Sequence, residues 1–142
     1  MKAFLKTSGA TGFHLYVPLE RQYSFEQVRT FAEIVGRLVS AKMPKETTHQ
    51  RIISKRPPGT VMIDAYQNAS GRPLAAPYAV RAFPGAPVSG PVTPRELRRT
   101  LRPDRLNIKT ILGRIEKQGD LWGNFWESRQ NLEDAIEKLD LR

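Results

Sequence analysis

Two short stretches of this chain carry side chains suited to phosphate and metal chemistry. The first is Lys6-Thr7-Ser8-Gly9-Ala10-Thr11-Gly12-Phe13-His14. Its small residues leave backbone N–H groups accessible, and successive N–H groups in a turn can form a concave nest for an anion. The hydroxyls of Ser8 and Thr11 and the ring of His14 can add donors to phosphate oxygens. The same turn also suits an ordinary Gly-containing hairpin. It is not a P-loop, because no Gly-Lys-Ser/Thr opens a helix. The second stretch holds Asp64, beside Tyr66 and followed by Gln67 and Asn68. A carboxylate there can offer hard oxygen to Mg²⁺ or Mn²⁺, or it can bond the turn that follows it. Lys55, Arg56, Arg72 and Arg81 flank this segment. Arg forks fit phosphate oxygens, and a solvated charged rim accounts for the same residues.

The elements that position these groups follow from periodicity. Residues 3–7 and 13–18 read as two strands around the Ser8–Gly12 turn. In the second, His14 and Tyr16 share one face, and Phe13, Leu15 and Val17 share the other. Residues 24–42 read as a helix, with an apolar stripe of Phe25, Val28, Phe31, Ala32, Val35, Leu38 and Val39. Ser24 and Gln27 form its capping box and Pro44 stops it. Val61 to Tyr66 reads as a strand with Met62, Asp64 and Tyr66 on one face, although Asp is disfavoured inside strands. Residues 67–92 hold five prolines and read as extended loop, with a short strand near Tyr78 to Ala82. Thr93-Pro94-Arg95-Glu96 starts a brief helix that ends before Pro103. Asn107 is expected to cap a helix bearing Ile108, Ile111, Leu112 and Ile115, with Gly119 after its end. A last amphipathic stretch runs from about Phe125 to Leu139, using Leu132, Ala135 and Ile136.

Composition sets the class. The 142 residues suit one domain with a modest core. With 23 Lys and Arg against 14 Asp and Glu, the net charge is +9, which favours polyanion partners. No apolar run reaches the roughly 18 residues a membrane helix needs, and the first residues lack a signal-peptide pattern. With no cysteine, disulfides and thiolate metal sites are excluded. A cytoplasmic address is the expectation.

The order of the motifs is more specific than any one of them. Lys-Thr-Ser-Gly-x-x-Gly-x-His-x-Tyr-x-Pro from Lys6, an amphipathic helix, Asp64-x-x-Gln67-Asn68, and Ala76-x-Tyr78-x-x-Arg81 follow one another. Arg81-Ala82-x-Pro84-Gly85-Ala86-Pro87-Val88-Ser89 continues the pattern. This order strongly resembles the polymerase domain of bacterial DNA ligase D, in the archaeo-eukaryotic primase superfamily, over about residues 2–122. The resemblance implies an α+β fold: a partial primase-polymerase core, with a small, mostly antiparallel sheet packed by helices and a helical C-terminal tail. It places the sheet and nucleotide-site half in residues 1–92 and the tail in 93–142, as the C-terminal half of such a domain. It implies addition of nucleotides to DNA ends in non-homologous end joining, with Mn²⁺ or Mg²⁺. The partners it implies are a nucleoside triphosphate, DNA ends, a ligase domain and a Ku-type end-binding protein. By the same resemblance Ser8, Gly9, Thr11 and His14 hold the triphosphate, Asp64 is a catalytic metal-binding carboxylate, and Gln67 sits in the nucleotide pocket. Arg81 matches a phosphate-facing arginine, and Arg56 a basic residue before the Asp64 strand. Many members carry Lys where this chain has Thr11.

One family motif is missing. The family draws two of its three metal carboxylates from an Asp-x-Asp upstream of the Ser-Gly turn, and no Asp-x-Asp occurs in this sequence. Two-metal transfer needs several carboxylates to hold ions about 3.5–4 Å apart. The isolated chain is therefore expected to be the nucleotide-binding half of a repair polymerase, inactive alone. A non-catalytic nucleotide- or DNA-binding module remains an alternative. So does an assembly partner of a separately encoded N-terminal half, or a homo-oligomer formed through an exposed sheet edge.

Overall fold

The computed structural model describes residues 1–97 and 101–140. The chain forms two compact units: residues 1–21 with 75–142, and residues 22–74.

The first unit is built on a three-stranded antiparallel sheet. Strand β1 (Phe4–Thr7) lies between β2 (Phe13–Tyr16) and β5 (Pro91–Val92). The register places Phe4 opposite Tyr16, Leu5 opposite Leu15, Lys6 opposite His14 and Thr7 opposite Phe13. All four β1 residues are buried, so this strand has a core on each side. Leu5 joins Val88, Val92, Leu106 and Ile111 in an aliphatic core. On the opposite face Phe4 and Tyr16 pack with Trp122 and Phe125. The Trp122 and Phe125 rings stack with centroids 5.2 Å apart, and the Trp122 indole N–H donates to the Leu5 carbonyl.

Helix α2 (Ile111–Gln118) brings Ile111 into the aliphatic core and ends at Gly119, φ +70°. It starts later than expected, because Asn107 closes a turn of its own. The Asn107 carboxamide oxygen accepts from the Lys109 N–H, and its carbonyl accepts from Thr110 and Ile111. Ile108 and Leu112, placed on the apolar side by periodicity, are exposed. The Thr93 capping box is present, but it opens a 3₁₀ turn over Pro94–Glu96. Whether that helix continues over residues 98–100 lies outside the described residues. The last stretch divides into a 3₁₀ turn at Trp126–Ser128 and helix α3 (Glu133–Asp140). Leu132 is buried there, and the Leu139 side chain lies outside the described residues.

In the second unit, α1 (Phe25–Lys42) has the expected capping box: Ser24 Oγ accepts from the Gln27 N–H, and Gln27 Oε1 accepts from the Ser24 N–H. It rests on a two-residue parallel pair, β3 (Thr47–Thr48) and β4 (Val61–Met62). The helix residue pressed inward is Gly36, where a Cβ would stand 3.1 Å from Ile63 Cγ2. The stripe residues Val35, Leu38 and Val39 stay exposed on this unit. The strand expected over 61–66 stops at Met62. Asp64 bends the chain out of the ladder by accepting from the Tyr66 N–H at 2.9 Å, the local bond that makes Asp a turn former. Among the described residues, no helix is long and apolar enough to cross a membrane.

Candidate functional site

The Ser8–Gly12 turn is closed from within. The Ser8 N–H donates to the Gly12 carbonyl at 2.8 Å, and Ser8 Oγ accepts from the N–H groups of Ala10 and Gly12 at 3.1 Å each. Three donors of the expected nest, the N–H groups of Ser8, Ala10 and Gly12, are thus spent on the turn itself. Neither the Gly9 nor the Thr11 N–H has an acceptor among the described residues. The hydroxyl proton of Ser8 is free to be aimed elsewhere, since its oxygen is only accepting in these bonds.

Gly9 is held at φ +69°, and an added Cβ would meet Arg81 Cγ at 2.4 Å and the Ser89 nitrogen at 3.1 Å. Only glycine allows this approach. It seats the turn against the Arg81–Ser89 hairpin, whose own turn uses positive φ at Gly85 and Ala86. The Arg81 N–H donates to the Pro87 carbonyl, and its guanidinium reaches the Ser8 carbonyl at 3.4 Å. Tyr78 also has positive φ (64°), a conformation that non-Gly residues hold only when their surroundings impose it. Here the Tyr78 hydroxyl donates to Asp120 Oδ1 at 2.7 Å, and the Tyr78 N–H donates to the Ser89 carbonyl. Burial and the Asp120 carboxylate raise the Tyr78 phenol.

On the β1–β2 face, Lys6 and His14 stand side by side. Lys6 is fully buried. Its Nζ lies 2.9 Å from His14 Nδ1, bonds Ser89 Oγ, and sits over the Tyr16 ring. Burial, and then the nearby Arg81 cation, lower Lys6 to about 8. His14 is lowered by burial first, then by Lys6 and Arg81. The site is therefore a cationic cluster whose histidine is held neutral. Among the described residues, no carboxylate pairs with Lys6 or Arg81.

In the second unit, Asp64, Tyr66 and Gln67 are exposed just past β4. Tyr66 lies between two guanidinium groups, Arg29 at 4.7 Å and Arg51 at 4.6 Å from its centroid. Arg56 is committed locally: it donates to the Gln50 and Arg51 carbonyls and to Met62 Sδ. The donor set does not make a metal centre. Among the described residues, no group of three His, Asp or Glu side chains could hold a cation.

The structure thus gathers Ser8, Gly9, Thr11, His14 and Arg81 in one unit and keeps Arg56, Asp64 and Gln67 in the other. Sequence reasoning quoted Lys6 and Ser89 within its motifs without giving either a role, and it missed the Tyr16–Trp122–Phe125 wall behind them. The one available signal was a Lys amid the apolar residues of Phe4-Leu5-Lys6. A separate concave surface of about 610 Å³ is lined by Arg95, Arg102, Arg105, Arg114 and Lys117 among others.

The family described as LigD, primase-polymerase domain, matches residues 1–122. The chain belongs to that family. It is 32% identical over 140 residues to the multifunctional non-homologous end joining protein LigD of Pseudomonas aeruginosa, covering 97% of this chain and 16% of that protein. It is 28% identical over 130 residues to the bifunctional non-homologous end joining protein LigD of Bacillus subtilis, covering 91% of this chain and 21% of that one. Among solved structures, it matches the polymerase domain from Mycobacterium tuberculosis Ligase D in complex with DNA. That match has TM-score 0.80 and 32% identity, over 90% of this chain and 44% of that domain. The LigD-type chain therefore spans less than half of the solved polymerase domain and about a fifth or less of these LigD proteins.

Proposed function

We propose that this chain is the nucleotide-binding part of a LigD-type primase-polymerase that adds nucleotides to DNA ends in non-homologous end joining. In this reading His14, Ser8, Arg81 and the free N–H groups of Gly9 and Thr11 receive the triphosphate of the incoming nucleotide. Within the second unit, the family likeness gives Asp64 the role of a carboxylate offered to a divalent metal and Gln67 that of a nucleotide contact. Among the described residues no cluster supplies the remaining metal ligands, and in this reading the isolated chain binds nucleotide without transferring it. Arg56, spent on backbone carbonyls, shapes the 50–62 segment rather than meeting phosphate.

One observation carries this reading: His14 and Arg81, 67 positions apart in sequence, are set around a single glycine turn. The charges of Arg81 and of Lys6 beside His14 are not answered by any carboxylate of the described residues. Titration of ATP or GTP into the chain tests it. Saturable binding should weaken at least about tenfold in His14→Ala and in Arg81→Ala, the loss expected for one charge-assisted hydrogen bond. Pure chain with Mn²⁺ should give no template-dependent extension. Binding that ignores both substitutions, or extension by the chain alone, would overturn the proposal.

A further inference from the structure

We propose that Lys6 is a positioning residue that fixes His14 as the neutral Nε2–H tautomer, so that the imidazole presents a donor to a nucleotide phosphate. The inference rests on the reading that His14 meets phosphate, but the tautomer can be observed without any nucleotide.

The direction of each bond around Lys6 is set by chemistry. An ammonium has three donors and no acceptor. Ser89 Oγ–H donates to the Thr7 carbonyl at 2.7 Å, so the Ser89 oxygen is left to accept from Lys6. The second Lys6 proton points to His14 Nδ1 at 2.9 Å, which must then carry a lone pair. The third direction faces the Tyr16 ring, 5.5 Å from Nζ to its centroid. A neutral imidazole with an accepting Nδ1 has its proton on Nε2. Protonating Nδ1 as well would set an N–H against the ammonium in a buried place, so the doubly protonated ring is suppressed.

The arrangement explains a residue that otherwise costs stability. A fully buried lysine without a carboxylate partner is unfavourable in a small domain. Its two polar partners are neutral, and its charge lies behind the imidazole and beside Arg81. An anion placed at Nε2 meets a donor backed by two cations.

The test is ¹⁵N NMR of the imidazole nitrogens in the full 142-residue chain, with His49→Gln to remove the other histidine signal. The wild type should show Nδ1 unprotonated and Nε2 protonated at pH 7. Lys6→Met should turn this into an exchanging mixture of tautomers and raise the His14 titration, while Lys6→Arg, still a donor, should restore the Nε2–H form. ATP should shift Nε2 in the wild type and bind about tenfold or more weakly to folded Lys6→Met. A protonated Nδ1 in the wild type overturns the proposal even if Lys6→Met fails to fold. An unchanged tautomer in folded Lys6→Met overturns it equally. Should the Nε2–H form be present but indifferent to ATP, the phosphate role of His14 falls, and with it the use proposed for this donor.

Discussion

Gly9 and Arg81 meet so closely that a single methyl group on the glycine would overlap the arginine side chain, 2.4 Å from its Cγ. The glycine turn and the arginine hairpin are therefore one packed body, and the spacing between phosphate donors from β2 and from residue 81 is set by that contact.

Gly9→Ala should then be among the most damaging small substitutions in the chain. Left-handed backbone costs an Ala about 1–2 kcal/mol, and forcing side chains apart adds roughly 1–3 kcal/mol. Gly71→Ala is the control, because Gly71 has similar φ (+73°) with nothing within 4 Å. Thermal or urea unfolding should show Gly9→Ala losing clearly more stability than Gly71→Ala; equal losses would mean the turn does not press on Arg81.

The Arg114–Glu96 pair gives a pH-dependent prediction. Both guanidinium nitrogens bond the carboxylate, at 2.7 and 2.8 Å, and Arg114 also donates to the Pro91 carbonyl. This holds Glu96 at about 2, below its ordinary 4.5, with Arg114 the main cause. A lowered carboxylate stabilises the fold above the unfolded value and loses that contribution as pH falls through the folded one. Glu96→Gln should cost about 1–2 kcal/mol at pH 7, after allowance for solvent screening of a partly exposed pair. Its gap to wild type should close between pH 4.5 and about 2.

Lys6 moves stability with pH in the same direction, but through a cost rather than a gain. Its folded value of about 8 lies below the ordinary 10.5, so the cost of burying its charge is in force below pH 8 and is relieved as pH rises toward 10.5. Wild type should gain stability relative to Lys6→Met across that window. Over the same range its ATP affinity should fall, as the cation behind His14 is lost.

Trp122 stacks on Phe125 and meets Tyr16 and Phe4 edge-on, at 5.1 and 5.8 Å. Trp122→Ala should cost about 3–5 kcal/mol. Because Tyr16 also covers Lys6, the His14 ring should lose its fixed environment in any fraction that stays folded, as read by broadening of its NMR signals.

Much of this arrangement was legible before any coordinates. The β1–β2 hairpin and the Ser24-capped helix follow from period and cap, which are local rules, and the succession Ser8, His14, Asp64, Arg81 carries the family. What was hidden depends on pairing across distance. Lys6 becomes His14's neighbour only once the hairpin register is set, and Ser89 joins them from beyond the second unit. Periodicity separated the two faces of β2 correctly, yet the polar face is the inner one: Leu15 is 68% exposed, while Tyr16 packs on Trp122. Asp64 shows the opposite failure. A strand-like run of Val61-Met62-Ile63 outvoted the local turn bond of its carboxylate. Nothing in composition marks residues 22–74 as a separate compact unit.

The central claim, that the glycine turn with His14 and Arg81 is where a triphosphate binds, is tested most directly by following backbone amides during an ATP titration. The account predicts saturable shifts at the Gly9 and Thr11 N–H groups, together with His14, abolished in Arg81→Ala. Shifts confined to the Arg95, Arg102, Arg105 and Lys117 surface, with the turn unmoved, would contradict it.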